Sequence, residues 1–270
     1  MNILELFSGS RSIGKVGTDR GHTVFSSDFT DFPNTDYVVD ILEFDVSRVP
    51  FVPDVIWASP PCESFSVASI GRHWVKGEVF TPKTENAKKG LKILHKTMEI
   101  IEYYLTENPN LIWYVENPRG KMRKSPHWAK IQHSLNTVTY CQYGDDRMKP
   151  TDIWNNNDSW ISRKMCKNGM PCHTSAPRGS SSGTQGRSSY YDRSKIPTEL
   201  CEEVIISTEN KLKELKPYTV EYWFLSFVGE DDMGYDYEHI DVTAKNDNEA
   251  LEIAKRLSRS YSKNFKIVRN

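Results

Sequence analysis

Asp54-Val55-Ile56-Trp57-Ala58-Ser59-Pro60-Pro61-Cys62-Glu63-Ser64-Phe65-Ser66 is the stretch on which the reading of the fold turns. Val55 to Ala58 is a short apolar run with the make-up of a buried strand end. Pro60 and Pro61 stop it, because neither has an N–H for a ladder and both hold φ in the extended range. Cys62 therefore stands at the carboxyl edge of a strand on a stiff support. In an open α/β sheet that edge is where ligands bind. By itself, a cysteine in such a turn reads as a small structural residue; the segments around it give it the position of a nucleophile.

Toward the amino terminus, Asn2 to Phe7 reads as a buried strand, Ser8 to Ser12 as a tight loop, and the residues through about Gly21 as a helix. Strand, glycine loop and helix in that order build a Rossmann-like nucleotide site. Thr23 to Ser27 is a second strand, ending at Asp28, where a carboxylate can accept hydrogen bonds from ribose hydroxyls. Val38-Val39-Asp40-Ile41 closes a third. No three-glycine fingerprint follows, so a dinucleotide is not the expected ligand. Downstream, Leu91 to Leu105 has the apolar spacing of an amphipathic helix. Leu111 to Val115 is the next buried strand, and it carries Glu116 to the same edge as Cys62. Thr137 to Tyr140 is another strand, and Ile196 to Lys213 a closing helix.

The chain has 270 residues, enough for one ordinary domain and a small appendage. Its formal net charge is -1, so attraction to a polyanion has to come from local basic clusters. No apolar run has the length of a membrane span, and the first residues read as a strand, not a leader. Five scattered cysteines point to reduced thiols and a cytoplasmic setting.

Taken together, Leu4-Glu5-Leu6-Phe7-Ser8-Gly9-Ser10, Pro60-Pro61-Cys62 with Phe65-Ser66, Val115-Glu116-Asn117-Pro118, Tyr143-Gly144 with Arg147, and Ile196-Pro197 with Leu200 stand in a fixed order. In these segments the chain resembles the cytosine-5 DNA methyltransferases, and within them the short members carried by phages. The likeness covers about the first four fifths of the chain. It implies S-adenosylmethionine as cofactor, bound by Phe7, Ser8, Gly9, Ser10, Asp28, Asp40, Ile41 and Pro60. It implies methyl transfer to carbon 5 of a flipped-out cytosine in DNA. Cys62 would add at carbon 6, Glu116 would act at ring nitrogen 3, and Asn117 and Arg147 would position the ring, with Lys149 as the second basic choice. Two departures stand out: Arg11 lies where the family pattern has a second glycine, and Pro118 where it has valine.

The same resemblance makes Ala68 to Gly90 the loop that closes over an extruded base, with Arg72 and Lys83 facing phosphates. It makes residues 155–193, rich in Asn, Ser, Gly and Arg, a short target-recognition segment, with Arg178, Gln185, Arg187 and Arg193 on the DNA together with Lys149. The expected division is a catalytic Rossmann-like core over 1–154, that segment, a closing helix over 194–216, and a β-β-α-β unit over 217–270. Cys141, Cys166, Cys172 and His173 do not have the spacing of a zinc finger or ribbon. Together they could make a zinc site, but the expected reading is free thiols and a turn histidine, with no metal.

DNA is the expected partner, the chain a monomer or weak dimer, and its place the cytoplasm of a bacterial host, with protection from restriction implied by the phage likeness. Two other readings remain open: the same nucleophile acting on RNA or with a donor of a larger group, and a DNA-binding protein that keeps the fold with little turnover.

Overall fold

The computed structural model describes residues 1–131, 133–174, 189–227, 233–258 and 262–268. Its strands and helices run β1 (Asn2–Leu6), α1 (Ser12–Asp19), β2 (Thr23–Asp28), β3 (Tyr37–Val38), β4 (Val55–Ala58), α2 (Ile70–His73), α3 (Glu85–Glu107), β5 (Ile112–Pro118), β6 (Ser134–Thr139), β7 (Pro150–Asn155), α4 (Tyr190–Ser194) and α5 (Thr198–Lys213). A second group follows: β8 (Lys216–Phe227), β9 (Met233–Ala244), α6 (Asp247–Leu257) and β10 (Lys263–Val268). The chain divides into two compact units, Met1–Thr208 and Glu209–Asn270, with the division falling inside α5. Among the described residues no helix is long and apolar enough to cross a membrane.

In the first unit seven strands form one sheet in the order β3-β2-β1-β4-β5-β7-β6. The first five in that order pair in parallel. β7 runs antiparallel to both β5 and β6. The chain therefore builds outward from β1 on one side, then crosses to place β4 on the other. That reversal opens a crevice past the carboxyl ends of β1 and β4, where the loop after Leu6 and the Pro60-Pro61-Cys62 turn meet.

Helices cover both faces, which is why the parallel strands read as near-continuous apolar runs. Leu4, Leu6, Ile56, Ala58, Trp113 and Val115 pack on one face with Ala87, Leu94, Met98 and Ile101 of α3. On the other face the Tyr114 hydroxyl meets Thr208 Oγ1 of α5 at 2.8 Å, and the Trp57 and Tyr114 rings stack 5.6 Å apart. Helix α3 begins six residues before the apolar spacing of Leu91 shows it. Thr84 caps it by accepting from the Ala87 N–H, and its first turn carries the polar residues that hide the periodicity.

The stretch 68–90, expected as a base-closing loop, is largely exposed but carries α2 and the first residues of α3 and is anchored at Trp74. Trp74 is buried against Phe65 and Phe80, with ring centroids 5.6 and 4.5 Å away. Its indole N–H donates to the Ser64 carbonyl at 2.6 Å. Strand β5 also runs past its predicted end. Glu116 and Asn117 still lie within it because Ile153 and Asp152 of β7 pair with them, a strand that its mixed composition conceals.

In the second unit β8 lies between β10 and β9, antiparallel to both. Val220, Val242 and Ala244 form its core with Ala250, Ile253 and Ala254 of α6. The side chain of Asn246 accepts from the Glu249 N–H at 3.0 Å, and Glu249 reaches back to the Lys245 N–H at 2.7 Å, which starts the helix.

After β5 the chain returns under the Cys62 turn. Lys121 N–H donates to the Phe65 carbonyl at 2.8 Å, and Ser66 forms a bridge with Gly120. A β-carbon on Gly120 would run into the Phe65 carbonyl group. Gly120→Ala is therefore expected to destabilise the chain by about 1–3 kcal/mol, the usual cost of overpacking. A urea titration reads this as a lower midpoint; an unmoved midpoint would mean that the two loops separate at no cost.

Candidate active site

The loop that leaves β1 is bent by three residues with left-handed backbone: Phe7 (φ 57°), Gly9 (φ 48°) and Arg11 (φ 54°). Arg11, at the position where the resemblance leads one to expect glycine, keeps a glycine-like conformation at a cost of about 1 kcal/mol. No side chain caps α1. Instead Glu5, buried at the end of β1, accepts from the N–H groups of Ile13 and Gly14, both at 3.1 Å, and so satisfies two amides at the helix start.

A cavity of about 260 Å³ opens beside this loop. Cys62 and Glu116 line it together with Phe7, Ser8, Pro60, Lys149 and Arg193. Glu116 is buried. One of its oxygens accepts from the Tyr140 hydroxyl at 3.1 Å, and Lys149 Nζ stands 3.8 Å from the same atom. Lys149 also lies 4.6 Å from the centre of the Tyr140 ring. Burial and the neighbouring Glu116 push the Tyr140 phenol well above its ordinary pKa, so it remains a donor. Burial likewise raises the Cys62 thiol; Lys149 draws it down and Glu116 adds to the rise.

A second cavity of about 260 Å³ is lined by Phe7, Asp28, Asp40 and Ile41, and it shares Phe7, Pro61 and Glu63 with the first. Asp28 has its oxygens on backbone amides, accepting from Gly9 N–H and Thr30 N–H at 2.9 Å each. Asp40 accepts from the Leu42 N–H at 3.1 Å. Gly9 and Ser10 shape the loop without lining either cavity: Gly9 holds Asp28, and Ser10 Oγ pairs with Ser12 Oγ at 2.9 Å. Phe29, 73% exposed, stands on the wall of the second cavity.

Two of the expected ring-positioning residues lie outside the cavity. Asn117 is fully buried, and its amide donates to the Pro60 carbonyl at 2.8 Å. Arg147 spends its guanidinium on the Asp145 carboxylate and on the carbonyls of Asp192 (3.4 Å) and Lys195 (3.2 Å). Asp145 lies two residues away in the same turn, which is why the fork folds back, and the cation beside Glu116 is Lys149. Arg72 and Lys83 are exposed and line neither cavity. Arg178, Gln185 and Arg187 lie outside the described residues. Sequence reasoning passed over Tyr140, Glu5 and Phe29. Phe29 leaves a signal as an aromatic directly after the acidic strand end, whereas Tyr140 leaves none because its partner is 24 residues away.

Among curated proteins, the chain is similar to a probable DNA (cytosine-5)-methyltransferase of Frog virus 3 (isolate Goorha). It is 34% identical over 184 residues, which span 64% of this chain and 78% of that protein. No family model matches the chain. Among solved structures, a mutant of DNMT2 from Spodoptera frugiperda is 16% identical with a TM-score of 0.38, over 60% of this chain and 52% of that one. The Dnmt2 methyltransferase of S. pombe is 12% identical with a TM-score of 0.38, over 57% of this chain and 48% of that one. The chain thus spans about half the length of these two structures.

Two titrations test the site. Alkylation of Cys62, followed by mass spectrometry of its peptide, is expected to rise with pH along a curve displaced above that of an ordinary thiol. Lys149→Met should displace it further, since a nearby cation favours the thiolate; an unshifted curve would show that the ammonium does not act on the sulfur. Burial also raises the Glu5 carboxyl from 4.5 to about 7, against the pull of the Gly14 and Ile13 amides and Arg11. The folded chain thus keeps that proton to higher pH than the unfolded chain. The stability it contributes is complete below pH 4.5 and is lost as the pH rises through 7. The melting temperature of Glu5→Gln relative to the parent should therefore climb across that window, and a flat difference would show that Glu5 does not titrate there.

Proposed function

The chain belongs to the DNA (cytosine-5)-methyltransferase family, and we propose that it methylates carbon 5 of cytosine in DNA, with Cys62 as nucleophile and S-adenosylmethionine as donor. The convergence of Cys62, Glu116 and Lys149 on one cavity, at the sheet edge where ligands bind, supports this activity.

The second cavity suits the cofactor. It offers an exposed aromatic face at Phe29, an apolar wall at Ile41, and carboxylates at Asp28 and Asp40. On the wall of the first cavity, next to the shared Phe7, Ser8 Oγ is enclosed with no hydrogen-bond partner, a polar atom free to meet a ligand. S-adenosylmethionine, when bound, supplies an electrophilic methyl group on a sulfonium. Phe29 and Ile41 would hold its base, Asp28 its ribose, and Ser8 its amino-acid end.

Carbon 5 of cytosine is a weak nucleophile until carbon 6 carries an added group. A thiolate suits that addition, being both a strong nucleophile and a good leaving group. Cys62 would bond to carbon 6 while Glu116 holds a proton at ring nitrogen 3, which takes up the electron density displaced from the ring. Tyr140 fixes the carboxyl by donating to it, and Lys149 favours the anionic sulfur before attack. Once carbon 5 carries the methyl group, loss of its proton to water would break the Cys62–carbon 6 bond, release the sulfur as thiolate, return the nitrogen 3 proton to Glu116 and restore the aromatic ring. Carbon 6 lies inside the stack of a duplex, so the base has to leave it, at a few kcal/mol. Arg193, on the cavity wall at the end of the 155–193 segment, is suited to a phosphate beside the extruded nucleotide.

With labelled cofactor and duplex DNA, Cys62→Ala is expected to abolish transfer while cofactor binding persists, and nucleoside mass spectrometry of the parent's product should give 5-methylcytosine. Transfer by Cys62→Ala at the parent's rate would remove the nucleophile. Glu116→Gln should slow transfer by about 10²-fold or more; an unchanged rate would leave the carboxylate a structural role.

A further inference from the structure

Away from both cavities, four side chains with metal-binding atoms meet. Cys141, Cys166, Cys172 and His173 bring their three sulfurs and one ring nitrogen within 4.8 Å of one another. The Cys166 and Cys172 sulfurs are 3.2 Å apart and those of Cys172 and Cys141 3.8 Å. His173 Nδ1 lies 3.5 Å from the Cys166 sulfur and 3.7 Å from that of Cys172. A tetrahedral zinc ion, with Zn–S bonds of about 2.3 Å and a Zn–N bond of about 2.0 Å, separates its sulfurs by about 3.8 Å and sulfur from nitrogen by about 3.6 Å. The Cys172–Cys141 separation and both of those to His173 lie close to these values, and the Cys166 and Cys172 sulfurs at 3.2 Å would part by about 0.6 Å to take the ion. A disulfide would account for two of the sulfurs and would leave the third and the imidazole without a purpose. It also needs a sulfur–sulfur distance of about 2.05 Å.

The surroundings are those of a thiolate site. The amide of Gln142 points at the Cys172 sulfur at 3.5 Å, and such N–H donors offset the negative charge of zinc-bound thiolates. Cys141 and Cys166 are buried and His173 is partly covered. His173 Nε2 is enclosed with no partner among the described residues, so the ring's polar contacts are made through Nδ1, on the sulfur side. We propose that Cys141, Cys166, Cys172 and His173 bind one zinc ion in a closed structural site. Four protein ligands leave no open position for a substrate, which separates this site from catalytic zinc. Binding would displace the three thiol protons into solvent, leaving three thiolates, one neutral imidazole and the dication with a net charge of -1.

Its purpose follows from where the ligands sit. Cys141 belongs to the turn that begins at Tyr140, the residue whose hydroxyl donates to Glu116. The other three ligands come from a segment with no helix or strand of its own. That segment is tied to the same neighbourhood by three backbone amides: Arg163 N–H on the Tyr143 hydroxyl at 2.8 Å, Cys166 N–H on Thr139 Oγ1 at 2.8 Å and Thr174 N–H on the Asp146 carbonyl at 2.9 Å. A metal would staple this irregular stretch to the edge of the sheet, supplying the fixation that its few apolar residues cannot.

The test uses the full chain purified under reducing conditions with no added chelator. Metal analysis should find one zinc per chain, and replacement by cobalt(II) should give the absorption of a tetrahedral thiolate site, a readout that needs no variant. Cys166→Ser, Cys172→Ser and His173→Ala should each weaken zinc binding by more than about 10-fold, the scale reached even when an outer partner of a ligand is lost. Cys62→Ser should keep the full complement. Stripping zinc with a chelator should lower the melting temperature of the parent, and zinc alone should restore it. A chain that takes up neither ion from excess zinc or cobalt would overturn the proposal. So would undiminished zinc in Cys166→Ser and Cys172→Ser, or a Cys166–Cys172 disulfide trapped by alkylation of protein isolated without oxidant.

Discussion

The amide of Asn117 donates to the carbonyl of Pro60 from a position with no exposure to solvent, and much of the candidate active site depends on that bond. It joins two strand ends that reach the crevice differently. β4 stops at Ala58 and hands over to a proline turn with no ladder of its own, while β5 continues through Pro118 because β7 pairs with it. A turn stiffened by two prolines holds its own shape but not its place on the sheet. The Asn117 amide supplies the place, so that Cys62 and Glu116 face one cavity. In a buried setting such a bond is costly to lose, because both partners would be left unsatisfied.

Charge in the site is arranged with similar economy. A carboxylate, an ammonium and a thiol share a cavity of about 260 Å³, where interactions are stronger than in water and unpaired ions are expensive. Lys149 sits close enough to Glu116 to offset its charge and still acts on Cys62. A lysine here is a compact point charge, whereas an arginine would impose a planar fork. The nearby arginine is bound elsewhere: Arg147 holds Asp145 and the carbonyls of Asp192 and Lys195, and so secures the stretch that carries Arg193 and Ile196 onto the cavity wall. One cation tunes the site and the other builds its rim.

The loop after β1 stands under comparable constraint. Its left-handed residues turn the chain sharply between strand and helix, and Glu5 covers the helix amides exposed by the missing cap. Phe7 borders both cavities as a result. The proposed nucleotide and base sites therefore have one wall in common, which is the geometry needed to bring a donor and an acceptor together. Across the sheet, the cysteine cluster begins one residue after Tyr140, so fixation of that turn also fixes the donor to Glu116.

Much of this is legible in the chain itself. Val55 to Ala58 between polar residues, followed by two prolines, can be little other than a buried strand that ends abruptly, and the alternation of such strands with an amphipathic helix sets the Rossmann-like order. Cys62 and Glu116 could be named because each is delivered by an apolar strand run just before it, Cys62 by the proline turn after β4 and Glu116 by β5 itself, so their placement is a local matter. What the sequence could not disclose is everything that depends on partners distant along the chain. It does not reveal that β7 prolongs β5, that Tyr140 reaches Glu116, that Arg147 turns back to Asp145 while Lys149 faces the cavity, or that three cysteines and a histidine with no recognisable spacing share one point. Strand order and apolar period are written in neighbouring residues, since each strand or helix buries its own face. The aim of a side chain and the gathering of ligands are decided by packing between segments, and only the folded chain brings those together.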